Sequence, residues 1–158
     1  MKKFTTSVIS LLVGAGVGGA ISQKISNKQF NEKSELSNKH LSLFLLMNQW
    51  VKVKQEGKNI ADYLKREGYK NIAIYGMSYV GETLTAELAE TDIEIMYGID
   101  RKADEVYAEF DILLPEDVVE NVDAVIVTAI SYYDEIRELL NKKLNCPILS
   151  LEDILYEI

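Results

Sequence analysis

A chain of 158 residues with a 47% apolar share has room for one modest globular domain and an appendage. Its single cysteine, Cys146, excludes an intrachain disulfide and a cysteine-based metal cluster. The net charge of −8 is unevenly divided: residues 1–58 carry nine Lys and three Glu, +6, while residues 59–158 carry eight Lys/Arg and 22 Asp/Glu, −14. The acidic part argues against nucleic acid, whose phosphates need Lys and Arg; the favoured reading is that the acids simply keep the domain soluble.

Phe4 to Ile21 is a run of 18 residues without a charge, flanked by Lys2, Lys3 and Lys24. It predicts a membrane-anchor helix within residues 1–24, near the lower limit of about 17–25 residues for a span. A secretory signal peptide and a surface-lying helix are the alternatives. Gly14-Ala15-Gly16-Val17-Gly18-Gly19 spells a nucleotide fingerprint. No second strand ending in an acid follows it, so Gly14 and Gly18 read better as a GxxxG helix-contact pair. Lys24, Lys28, Lys33 and Lys39 outnumber the lysines ahead of the segment. That bias expects a single-pass membrane protein whose domain faces the cytoplasm.

Residues 25–58 read as a polar linker and a long apolar helix. Leu36, Leu43, Phe44, Met47, Trp50 and Val51 recur at helical spacing, and Leu41, Leu45 and Leu46 widen the stripe. Such a helix expects packing against the domain, with dimer contact as the second use. His40, the one histidine, has no partner nearby in sequence that would make it a ligand or base.

Residues 59–158 alternate strands and helices. Asn59 predicts a helix cap and Gly68 a helix stop. A strand over Ile72–Tyr75 runs into the turn Gly76-Met77-Ser78-Tyr79-Val80-Gly81, then a helix, then a strand over Ile93–Ile99 ending on Asp100. This is the layout of a βαβ dinucleotide-binding unit: Gly for the tight turn, an open helix N-terminus for phosphate, and a carboxylate for a ribose hydroxyl. The middle fingerprint glycine is replaced by Ser78, which adds a Cβ where a pyrophosphate approaches. Arg101 follows the acid and offers a site for a 2′-phosphate. A tight corner that binds nothing is the alternative reading of the same turn.

Further along, Asp111–Leu114 predicts a third strand, Pro115-Glu116-Asp117 a helix start, and Asp123–Ala129 the fourth strand. Ser131–Leu144 predicts a helix, Ile148–Leu151 a fifth strand and Leu151–Ile158 a last helix. The expected fold is therefore α/β: a five-stranded doubly wound parallel sheet, Rossmann-like, of order 3-2-1-4-5. A ligand would lie across the ends of the first and fourth strands, where Thr128 and Ala129 join the turn residues and Asp100. No Tyr has Lys four places on, and the one histidine, His40, lies outside the domain, so no Ser/His/Asp set is expected there. No metal-ligand cluster is evident, and no substrate domain is expected. A binding module is favoured over a complete enzyme.

In IAIYGMSYVGETLTAEL, GIDR and VDAVIVTAI the chain resembles the Rossmann-fold nucleotide-binding superfamily over residues 69–151. It is similar to small domains of bacterial surface-polysaccharide pathways. These include the nucleotide-sugar-binding N-terminal domain of sugar acetyltransferases and domains described as nucleoside-diphosphate-sugar epimerase-like. The resemblance implies that Gly76 to Gly81 and Asp100 hold a nucleotide sugar or NAD. It implies an accessory role in polysaccharide assembly, with a homodimer or a pathway enzyme as partner. The acetyl-transfer histidine of those relatives has no counterpart. An oxidoreductase or epimerase completed by a partner, a ligand-free interaction protein and a methyltransferase remain alternatives.

Overall fold

The computed structural model describes residues 30–158. Within it the chain divides at Ser42, and Ser42–Ile158 form one compact unit. The anticipated anchor over residues 4–21, with its Gly14 and Gly18, lies outside the described residues. Among the described residues no helix is long and apolar enough to cross a membrane.

Helix α1 covers residues 30–55, and its part from Ser42 onward belongs to the larger unit. There follow α2 (Ile60–Glu67), β1 (Asn71–Tyr75), α3 (Tyr79–Leu88), β2 (Glu94–Ile99), β3 (Ile112–Leu113), β4 (Ala124–Val127), α4 (Tyr133–Leu140), β5 (Ile148–Ser150) and α5 (Leu151–Glu157). All strand pairs are parallel and the order is β3-β2-β1-β4-β5, as the alternation of elements predicts. The predicted bounds of α2 also hold. Asn59 accepts a hydrogen bond from the Asp62 N–H at 2.8 Å, and Gly68 ends the helix at φ +82°.

A central parallel strand must bury both faces, and β1 and β4 are apolar on both. On one face Ile72, Ile74 and Ile126 pack with Leu46, Trp50 and Val53 of α1 and with α2, α3 and α5. On the other, Ala73, Tyr75, Val125 and Val127 pack with Ile136 and Leu140 of α4. Burial of a side chain such as Leu46 contributes about 1.5–3 kcal/mol. The sheet's core therefore draws on residues ahead of 59, and its unit starts at Ser42.

Two predicted elements differ. Pro115-Glu116-Asp117 forms a turn closed by Asp117 N–H to Leu114 O at 3.0 Å, not a helix. The stretch that follows is rich in β-branched valine. Val118 and Val122 pack on the second core face while the Tyr97 hydroxyl donates to Val119 O at 2.5 Å. The chain thus covers the sheet without helical turns. The helix predicted over Ser131–Leu144 is shorter: a 3-10 turn over Ile130–Tyr132 leads into α4, which ends at Leu140.

Asp123 ties β4 to the start of β1. Its Oδ2 accepts from Lys70 N–H at 2.9 Å and Asn71 N–H at 2.7 Å, and these bonds, Asn71 first, hold its carboxyl below the ordinary carboxylate value of 3.8. A depressed folded-state pKa adds stability that is present above the unfolded value and lost as pH falls through the folded one. The advantage of the wild type over Asp123→Asn in urea midpoint should therefore be constant from pH 7 to about 4 and shrink at lower pH. A gap that stays constant down to pH 2 would show that the carboxylate charge is not what holds β1.

Candidate functional site

The candidate residues converge at the C-terminal ends of β1 and β4, where the strand order reverses. Gly76 leaves β1 at φ +96°, a conformation that favours glycine. Its N–H donates to Ile99 O at 2.8 Å, which holds the turn to the end of β2. A Cβ on Gly76 would lie 2.7 Å from the Thr128 Oγ1 and 3.3 Å from the Ala129 Cβ. Gly81, in the first turn of α3, packs so closely that a Cβ there would fall on the Gly76 carbonyl oxygen. The two glycines thus press the helix start against the strand end, the function assigned to the first and third fingerprint positions.

Met77 points inward and is 5% exposed. It packs over Gly98 of β2, where a Cβ would lie 3.1 Å from Met77 Cγ and 2.6 Å from the Ile112 Cδ1. Its side chain is core, and only its backbone N–H belongs to the loop. That N–H donates to Asp100 Oδ2 at 2.9 Å, while Asp100 Oδ1 accepts from Lys102 N–H at 2.9 Å. The acid at the end of β2 thus already braces both the glycine turn and the chain beyond β2. Each carboxylate oxygen keeps a further lone pair for a ligand hydroxyl.

Thr128 is buried and faces the strand ends. Its hydroxyl lies 2.5 Å from Gly76 O and 3.1 Å from Tyr75 O and donates into that pair. Ala129 is half-buried beside it. Val80 is buried in the core cluster under α3. Ser78, Tyr79 and Arg101 are exposed around this end of the sheet, Tyr79 at 86%. Ser78 takes the N-cap position of α3, but its side chain makes no capping bond. The first N–H groups of α3 thus have no cap from Ser78, and such groups, aligned with the helix dipole, attract anions.

The structure therefore brings Gly76, Met77, Gly81, Asp100, Thr128 and Ala129 together and leaves Ser78, Tyr79 and Arg101 at the rim. It also adds two residues that sequence reasoning passed over. Gly98 makes room for Met77, and an isolated Gly inside an apolar strand is the signal that marks it. Glu87 has no such signal. Its side chain, 8% exposed, accepts from Trp50 Nε1 at 2.6 Å and Ile60 N–H at 3.0 Å and pairs with Lys54 Nζ at 3.4 Å. That clasp ties α1 and α2 to the helix that bears the glycine turn.

The arrangement can hold an anion on backbone N–H groups and a hydroxyl on a carboxylate. It brings no nucleophile to a general base, and among the described residues no group of three His, Cys, Asp or Glu could hold a metal. Burial pushes the Cys146 thiol up, away from reactivity, and the residue belongs to the opposite, N-terminal side of β5.

Residues 68–147, half of the chain, match the family model described as C2185-like, N-terminal. The chain belongs to the C2185-like N-terminal domain family. The matched region runs from the stop of α2 to the residue before β5 and so contains every candidate site residue. No curated protein and no solved structure matches the chain.

Proposed function

We propose that this C2185-like domain is a Rossmann-like module that binds a nucleotide, either a nucleotide sugar or NAD. One observation carries the reading: the N-terminus of α3, uncapped by Ser78, opens beside the Gly76 turn at the point where strand order reverses. In this reading the diphosphate lies on the N–H groups of α3 and a ribose hydroxyl bonds Asp100. Arg101 and Tyr79 flank the ligand from the rim. Residues 4–21 anchor the chain in the membrane with the domain on the cytoplasmic side, where it serves as an accessory to cell-surface polysaccharide assembly.

Thermal unfolding of the full chain against NAD, NADP, UDP-sugars and S-adenosylmethionine tests this. A ligand at 100 times its Kd should stabilise by about 2.7 kcal/mol. Asp100→Asn should weaken that ligand at least tenfold, because the amide cannot accept from two N–H groups and two hydroxyls. An unchanged melting temperature with all four classes would reject nucleotide binding.

A second reading is a corner that binds nothing. It is favoured by Asp100, whose two oxygens are already engaged by Met77 and Lys102. It expects Asp100→Asn to lower stability while no ligand moves the wild type.

A further inference from the structure

Within the sheet unit, α1 exposes apolar side chains where a solvated helix would be polar. Phe44 is 67% exposed, Val51 51%, Leu45 45% and Met47 36%. Met47 and Val51 also line a groove of about 590 Å³, together with Trp50 on α1 and with Thr83 and Ala86 on α3. The small residues of α3 leave the recess, and Phe44 stands about one helical turn from Met47 as an unsheathed ring.

We propose that this face docks a second copy of the chain, α1 against α1 about a two-fold axis, with Phe44 of each copy entering the α1–α3 groove of the other. Knob and recess lie on one face of one chain, which is the condition for an isologous contact that closes at two copies. The four exposed residues leave roughly half of their combined surface, all of it on apolar side chains, open to solvent. That suits the apolar centre of an interface of about 800 Å² per partner. Charge favours a second copy over a lipid surface. Glu82 on α3 and Glu90 in the turn just past its end are exposed and would repel anionic headgroups, whereas Lys52, exposed beside Val51, offers them a counter-charge from the other chain. The inference goes beyond the nucleotide reading and does not rest on it.

If Phe44 of one copy meets the turn around Val51 of the other, the axis passes close to Asn48, which is exposed on α1. The full chain carrying Asn48→Cys in a Cys146→Ser background, treated in cells with a short bis-maleimide, should give a covalent dimer on a denaturing gel. Adding Phe44→Glu should remove at least nine-tenths of it, and so should Val51→Lys, which keeps the test valid if one variant folds poorly. Tyr107→Cys, fully exposed outside this face, should give no dimer. The proposal is overturned by no dimer from Asn48→Cys, by a dimer that survives both α1 substitutions, or by an equal one from Tyr107→Cys. Phe44-dependent binding to phosphatidylglycerol vesicles without cross-linking would assign the face to lipid and overturn it as well.

Discussion

Gly81→Ala is expected to lower stability by about 2–3 kcal/mol, the upper range for an overpacked site. The new methyl would fall on the Gly76 carbonyl oxygen. That obstacle is backbone, fixed because the Gly76 N–H is held by Ile99 and its oxygen by Thr128. Neither partner can rotate out of the way, so α3 must move off β1. The melting temperature should fall by roughly 2–8 °C per kcal/mol. Any nucleotide that stabilises the wild type should lose its effect, because the N–H groups of α3 no longer converge with the turn. Thr85→Ala, on the same helix, serves as a control. Its hydroxyl bonds only to Gly81 O within the helix, at 3.0 Å, so it should cost far less. Wild-type stability in Gly81→Ala would show that α3 and β1 are not in the contact that the site requires.

Glu87→Ala is expected to cost about 3 kcal/mol. Removing the carboxylate leaves the Trp50 indole N–H and the Ile60 backbone N–H without an acceptor, and Trp50 is only 3% exposed. A buried donor left unpaired costs about 1–3 kcal/mol, and bonds to a charged group are the stronger kind. The Lys54 contact adds little, since its side chain is 51% exposed and solvent screens it. Glu87→Gln retains one good acceptor and should lose about half as much. Urea denaturation followed at Trp50, the only tryptophan, reads both effects, and the indole emission itself should shift when its partner is removed. Equal stability of the alanine variant and the wild type would mean that the Glu87 bonds are not what holds α1 and α2 to α3. The clasp also explains why a helix outside the strand–helix alternation belongs to the sheet unit. It contributes Leu46, Trp50 and Val53 to the core, and one of its polar ties runs to the helix that begins at the glycine turn.

Much of the fold was legible because its signals are local. Gly68 and Asn59 mark the ends of α2 by backbone conformation and by one side-chain bond within three residues. The strands over Asn71–Tyr75 and Ala124–Val127 are unbroken apolar runs bounded by polar or glycine residues, the pattern of strands buried on both faces. The stretch after Pro115 misled for the opposite reason. Proline and two acids do favour a helix start, but the valines that follow are drawn to the sheet by burial, a tertiary term larger than local propensity. At the site, the glycine spacing identified the turn correctly as a close approach, because only glycine fits at Gly76 and Gly81. It could not tell that Met77 faces the core, since the reason lies in Gly98, more than twenty residues away.

The amino-acid sequence by itself determined the βαβ rhythm, the parallel sheet of order 3-2-1-4-5 and the position of the glycine turn at the strand reversal. These follow from hydrophobic periodicity, chain punctuation and the short connections that allow few topologies. Only the tertiary structure decided what the candidate groups do with their polar atoms. Asp100 turns to Met77 and Lys102, Thr128 turns to the end of β1, and Glu87 is enclosed by two helices. A carboxylate or hydroxyl bonds whichever donor or acceptor the packed fold brings within about 3 Å, and that neighbour is set by the whole chain rather than by the residues beside it.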